Sequence, residues 1–444
     1  MSQGLFSKLY EAGQPFALID TRERREHVAG HWFGSTNVPL SVLTTSVSRL
    51  IPQQDFPVYL LDWQDTASAV AAGQLEQMGY SQVTSCRTSK PDQFGNGFVK
   101  GEYVWSKAFG EVVAHTSNLP EVTPAEYLAS YKDARLFDVR PTAEYAQFTI
   151  PRSQSLPNSL LLANMQALKA TQGLALLHCA GRTRSIIGAC TLKAAGYEGA
   201  FAIFKGGTQA WQLDGLEREF NADRLFATES SNPTSAMEFL RQWKIDLIKL
   251  NNHELHEFIN QHNSHHLFDV SNDAATGDVT AHGIIKISGT NLIQQTDRSI
   301  ARYHVPVVLF DDGSGSRAAF AAYWLYTMGY SVSVVLLNDQ LPDAKPGKQS
   351  PATPDHTLRV FNSEQLIEFC DTANGRIFDC RASQDFNRGH LKHSEWHNIS
   401  ELLRQPAARA PITIIGNSET HAVETADILA QQQWIIAGVF GWHD

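Results

Sequence analysis

The sequence predicts an α/β protein of four tandem units, each a small parallel sheet with helices on both faces. Three observations carry that expectation. Four apolar runs each end in an aspartate, Asp20, Asp138, Asp269 and Asp379, at intervals of 110 to 131 residues. Downstream of each lies a second short apolar run, and each second run opens a helix-like segment that closes on an aromatic: Tyr80, Tyr197, Tyr330 or Trp434. Short apolar runs of this kind mark strands buried on both faces. Strands alternating with helical patterns pair in parallel through right-handed crossovers, and recurrence at a fixed spacing marks a repeat.

Taken in order, the first unit reads ALID from Ala17, then PVYLLD, then a helix to Gly79 and Tyr80. The second reads LFDVR from Leu136, LALLHC ending on Cys179, and a helix to Gly196 and Tyr197. The third reads LFDVS from Leu267, PVVLFD, a helix to Gly329 and Tyr330, and the β-branched run SVSVVLL. The fourth reads IFDCR from Ile377, PITIIG, a helix to Gln433 and Trp434, and IIAGVF. The expected domains are 1–112, 118–227, 236–340 and 357–444. Connectors are expected at 106–122, 228–235 and 341–356, the last rich in proline and polar residues.

Composition narrows the function. The 444 residues are 43% apolar and 18% charged, as in a folded globular protein. The first twenty residues lack the apolar core of a signal peptide, and no run approaches the ~18 apolar residues of a membrane span. A cytoplasmic protein that does not engage membranes is expected. A formal charge of −10 argues against nucleic acid as a partner. The five cysteines, Cys86, Cys179, Cys190, Cys370 and Cys380, form no Cys-x-x-Cys pair. Neither a disulfide framework nor a metal site is expected, no cofactor is implied, and the chemistry open to them is that of single thiols.

One thiol is set apart by its surroundings. Cys179 stands where a buried strand gives way to a helix, at the carboxyl edge of a sheet where α/β folds bind ligands. Unpaired N–H groups, the helix dipole and nearby guanidinium groups favour a thiolate there, lowering its pKa from ~8.5 toward about 3.5–7.5. In the loop CAGRTRS, Gly181 is expected to supply positive φ for an anion cradle. Arg182 and Arg184 offer bidentate donors, Thr183 and Ser185 offer hydroxyls, and Ser185 is placed to cap the following helix.

These residues give the chain its resemblance to the rhodanese sulfurtransferase superfamily, as a tandem protein of four rhodanese-homology domains. The resemblance rests on Asp-x-Arg (Asp20 and Arg22, Asp138 and Arg140, Asp379 and Arg381), on Gly-His (Gly30 and His31, Gly389 and His390), on the loop Cys179 to Ser185, and on FKGGTQAW with Gly206, Gly207 and Trp211. It implies that Cys179 carries a sulfane sulfur as a persulfide and that the backbone from Ala180 to Ser185 forms the cradle. Arg182 and Arg184 would contact an anionic donor such as thiosulfate, and the acceptor would be cyanide, a small thiol or a protein thiol. Covalent transfer of this kind predicts ping-pong kinetics. The second unit departs from the pattern where Phe148 and Thr149 replace Gly-His.

Counted back from the closing aromatics, the position of Cys179 falls on Asp62, Asp312 and Gly416 in the other units, none of which forms a persulfide. Those units are expected to be silent in sulfur transfer, serving as packing partners or as docking surfaces for a protein acceptor. Asp138 and Arg140 are expected to hold the loop, Phe204 and Trp211 stand between core and pocket mouth, and Cys190, Cys86, Cys370 and Cys380 are expected to pack. The histidines near His262 and His390 match no ligand spacing. Two rivals remain: a persulfide carrier that binds a partner without turning over, and a phosphatase or arsenate reductase. The second needs five residues between cysteine and arginine, whereas Arg184 follows Cys179 after four and Ser185 holds the next position.

Overall fold

A computed structural model describes residues 5–62, 66–87, 97–170, 173–226, 234–273, 275–280, 283–337, 358–373, 375–381, 383–407 and 410–442. The connector 341–356, most of 228–235, and the side chain of Cys370 lie outside the described residues. The described chain forms two compact units. One comprises Met1–Glu102, Ile300–Tyr303 and Lys348–Asp444, the other Tyr103–Ser299 and His304–Gly347.

The α/β expectation holds: each unit contains two sheets built mainly of parallel strands and flanked by helices. In the first unit, Phe16–Asp20 pairs in parallel with Val58–Asp62, which pairs with Val83–Arg87, and Arg302–Tyr303 adds an antiparallel edge. Its other sheet runs Ser394–Trp396, Arg376–Asp379, Ile412–Gly416, Ile436–Gly441, all parallel. In the second unit a parallel sheet runs Glu121–Val122, Phe201–Phe204, Ala175–His178, Arg135–Asp138, Gln154–Ser155. Its neighbour runs Asp246–Leu250, Val332–Leu337, Val307–Asp311, His266–Asp269, Ile285–Ile287, with Thr276–Val279 antiparallel at the edge.

The strand Ala175–His178 is central, and its apolar run is explained by burial on both faces. Leu176 enters a core with Leu136, Ala202, Phe204 and Trp211. Leu177 enters the opposite core with Phe137, Leu156, Leu192 and Tyr197. Phe204 and Trp211 are therefore core residues. Cys190 is buried on the helix Thr183–Ala194, and Cys380 is buried as well, whereas Cys86 is half-buried.

The stretch 106–122 is not a connector along most of its length. Val104–Ser117 forms a helix of 14 residues, and only the residues after it lead into the strand Glu121–Val122. The segment lacks proline until Pro120, so nothing in it opposes helical backbone beyond Gly110. That glycine has its own reason: a Cβ there would come within 2.5 Å of Thr183 Cγ2, so its absence lets this helix lie against the one that follows Cys179.

Candidate active site

Cys179 follows the last residue of its strand directly, and its side chain is 2% exposed. The Sγ lies 3.7 Å from the Ser185 hydroxyl, which donates to the Arg182 carbonyl at 2.8 Å. Two loop expectations are corrected here. The helix begins at Thr183 with Arg182 at its N-cap, so Ser185 sits inside the first turn rather than capping it. Gly181 does not adopt positive φ; that conformation belongs to Gly206 and Gly207, on the segment facing the loop.

That segment positions the loop. The helix Gly207–Leu213 aims its first N–H groups at loop carbonyls: Thr208 N–H donates to Cys179 O at 3.0 Å and Gln209 N–H to Ala180 O at 2.9 Å. A Cβ on Gly207 would stand 2.1 Å from Cys179 O, so only glycine fits. From the other side, Asn158 Nδ2 donates to Arg184 O at 2.9 Å. The loop's backbone is thus tied at Cys179, Ala180 and Arg184 before any ligand arrives.

The two loop arginines differ in what holds them. Arg184 is largely buried and makes bonds of 2.6 and 2.9 Å to the two carboxylate oxygens of Glu144. Burial disfavours its charge, but Glu144 and the neighbouring Cys179 and Asp138 outweigh it and raise its pKa. Arg182 is 49% exposed and pairs with Glu111, 57% exposed, at 2.6 Å. An exposed pair contributes about 0–1 kcal/mol, so Arg182 exchanges partners easily.

Asp138 and Arg140 stand behind the loop, both fully buried. The guanidinium donates to the carboxylate at 2.9 and 2.7 Å and to the carbonyl of Phe148. Thr149 Oγ1 adds a bond to Asp138 at 2.8 Å. Burial alone would raise the Asp138 pKa, but His178, Arg140 and Thr149 together hold it below its usual range. The same clamp recurs at Asp20 and Arg22, reaching Gly30 O at 2.8 Å, and at Asp379 and Arg381, reaching Gly389 O at 2.7 Å. Each arginine grips the carbonyl eight residues on, so Phe148 serves as well as glycine, and Thr149 takes the place that His27 occupies on Asp20 at 2.8 Å. The same bonds thus occur beside Asp62 and Gly416, where no thiol stands.

Strand register identifies what replaces Cys179 elsewhere. Asp138 faces His178, Asp20 faces Leu61, Asp269 faces Phe310 and Asp379 faces Ile415. The next residues are Cys179, Asp62, Asp311 and Gly416. The third equivalent is therefore Asp311 rather than Asp312, because one extra residue lies between it and Tyr330. Asp62 accepts from Ala67 N–H at 3.0 Å and Asp311 from Ala318 N–H at 2.8 Å, so each carboxylate takes up a donor in the first turn of the helix that follows, and Asp311 also accepts from Asp312 N–H at 2.8 Å. At Gly416 a Cβ would meet Ala422 N at 2.4 Å, and no side chain fits.

Burial pushes the Asp311 carboxyl up to about 7 from an ordinary 3.8, despite its two N–H donors. Between those pH values the folded chain keeps a proton that the unfolded chain has released, so this group's contribution to stability falls as pH rises through the window. Asp311→Asn is expected to remove that loss, gaining stability at pH 8 relative to pH 4 by at most about 4 kcal/mol. Thermal unfolding of both proteins at the two pH values checks this, and parallel pH profiles would contradict it.

The loop opens on a pocket of about 390 Å³. Cys179, Ala180, Gly181, Arg182, Thr183 and Arg184 line it together with Lys107 and Glu111. Ile293, Phe320 and Met328, from the neighbouring sheet's helices and the residue after them, line it as well. Sequence reasoning brought the loop residues together but missed Glu111, Glu144, Asn158 and the apolar residues of the neighbouring sheet's helices. Only packing across sheets unites them, and no motif announces that. Of the histidine groups, His262 ends the helix Asn252–Gln261 with Nδ1 2.8 Å from Phe258 O, and His390 is exposed.

Residues 123–214 match the family model described as a rhodanese-like domain. Among solved structures, the chain is similar to the thiosulfate sulfurtransferase of Pseudomonas aeruginosa at 25% identity, covering 98% of this chain and 86% of that one with a TM-score of 0.82. It is also similar to a rhodanese-related protein of Thermoplasma volcanium at 23% identity, over 22% of this chain and 97% of that one, TM-score 0.21. No curated protein matches the chain. Among the described residues, no helix is long and apolar enough to cross a membrane.

Proposed function

The chain is a member of the rhodanese superfamily through its domain at residues 123–214, and from that premise we propose that it is a sulfurtransferase whose carrier is Cys179. The observation that carries the reading is a strand-end thiol at a helix N-terminus, on a loop tied down on both sides and facing a pocket with cationic side chains. The Cys179 thiolate attacks the outer sulfur of thiosulfate, the S–S bond breaks with its electrons leaving on sulfite, and Cys179 is left as a persulfide. Attack by cyanide or a thiolate on the outer persulfide sulfur then regenerates the Cys179 thiolate. Arg182 faces the donor's negative charge, Arg184 is held by Glu144 and supports the loop, and Asp138 with Arg140 positions the strand end.

We extend the reading to four rhodanese-like domains, at 1–112, 118–227, 236–340 and 357–444, three of them without a loop thiol. The repeated Asp and Arg clamp and the shared register support this. A cytoplasmic setting follows from the chemistry, since a reducing compartment keeps Cys179 a free thiol.

Intact-mass measurement after incubation with thiosulfate tests the core of the reading: a gain of one sulfur atom on Cys179 is expected. Vigorous aryl phosphate hydrolysis without that gain would overturn it. A second expectation concerns Arg182. Glu111→Gln frees the guanidinium for an anionic donor and should lower KM for thiosulfate by up to about fivefold with little change in kcat, because an exposed pair is worth at most about 1 kcal/mol. A rise in KM in steady-state assays would refute the competition.

A further inference from the structure

Thr290 lines the same pocket as Cys179 and belongs to the helix Gly289–Gln294 of the neighbouring sheet, within the same compact unit. It is 3% exposed, and its Oγ1 is buried without a hydrogen-bond partner among the described residues. The other buried threonines of this unit all spend their hydroxyls on protein atoms. Thr149 donates to Asp138, Thr191 to Ile187 O, Thr208 to Ala180 O and Thr296 to Ile293 O, while Thr280 accepts from Ile284 N–H. A buried hydroxyl left unpaired costs stability, so one that lines a ligand pocket points to a partner that arrives with the ligand. The helix that carries it is held along its length. Ser288 Oγ accepts from Asn291 N–H at 3.1 Å, the Ser106 hydroxyl donates to Gln294 O at 2.7 Å, and Gly289 packs where a Cβ would stand 3.2 Å from Arg317 O. A donor fixed in this way needs no reorganisation when charge develops near it.

We propose that Thr290 is a catalytic residue of the loading step: its hydroxyl donates to an oxygen of the SO3 group of thiosulfate and stabilises the charge that gathers on the departing sulfite. This rests on the sulfurtransferase reading above and adds to it a group from outside the cysteine's own domain. The step balances without an oxidant. The Cys179 thiolate attacks the outer sulfur, the S–S bond breaks with its electron pair leaving on sulfite, and Cys179 keeps the outer sulfur as a persulfide anion. A hydrogen bond to oxygens that gain charge strengthens toward the transition state, so it speeds the step rather than tightening binding alone. Discharge of the persulfide by cyanide involves no SO3 group, and Thr290 has no part in it.

Single-turnover measurements on the full chain separate the two half-reactions. Thr290→Val keeps the side chain's shape and removes the hydroxyl. Sulfur uptake from thiosulfate, followed by intact mass, is expected to slow about 10- to 100-fold in this variant. Once fully loaded, it should be discharged by cyanide within about twofold of the wild-type rate. Thr290→Ser should restore uptake to within about threefold of wild type, and Thr290→Ala repeats the loss should valine disturb the fold. Uptake in the valine and alanine variants within about twofold of wild type overturns the assignment. So does a serine variant as slow as the valine one, or a slowing of both half-reactions alike, which is the mark of a structural role. If the wild-type chain itself gains no sulfur on Cys179, the sulfurtransferase reading falls, and that failure is seen before any variant is made.

Discussion

Replacing Cys179 by serine is expected to end sulfur transfer: turnover falls by at least about 10⁴, and the protein gains no mass on incubation with thiosulfate. A serine hydroxyl stays protonated at neutral pH, and the side chain that Sγ bonds to is the Ser185 hydroxyl, which is no general base and already donates to Arg182 O. The fold should tolerate the change, because the loop is held through its carbonyls rather than through sulfur. Cys190→Ser is the matched comparison. Burial pushes the Cys190 thiol up, with Ser117 and Lys193 opposing only in part, so it is a poor nucleophile. Transfer surviving in Cys179→Ser, or lost in Cys190→Ser with the fold intact, would remove Cys179 from the role.

What the sequence made legible is local. The aspartates, the strands before and after them, and the position of Cys179 all follow from short apolar runs whose burial on two faces leaves a direct mark on composition. The clamp of Asp138 on Arg140 was legible because both residues lie within three positions of each other. What depended on backbone detail was less so. Ser185 read as a cap because serine favours that position, yet the helix starts two residues earlier. Asp312 was counted from Tyr330, and one inserted residue moved the true counterpart to Asp311. The helix Val104–Ser117 was hidden because its stretch lies between two repeats of the sequence pattern, and the apolar lining at Ile293 and Phe320 by distance along the chain. Neither has a periodic signal that names its partner.

The sharpest contrast between the two levels lies in the glycines, and it yields the second large effect. Gly207→Ala is expected to cut persulfide formation by about 10² or more and to destabilise its domain by about 3 kcal/mol. At φ +54° an alanine is strained, by about 1 kcal/mol. Its Cβ would also stand 2.1 Å from the Cys179 carbonyl oxygen and 3.1 Å from the Ala180 carbonyl carbon, both backbone atoms that cannot swing aside. The loop must retreat, and the bonds from Thr208 and Gln209 N–H stretch or break, at about 1 kcal/mol each. A retreat of about an ångström at the nucleophile accounts for the rate. Gly181→Ala, by contrast, meets only the end of the Gln209 side chain at 3.1 Å, without positive φ, and should cost less than about 1 kcal/mol and leave most of the rate. Rates of sulfur uptake and thermal unfolding of the two variants decide between the accounts. If Gly181→Ala were the more damaging, the cradle would depend on the loop's own glycine, and the role assigned to the facing helix would be wrong.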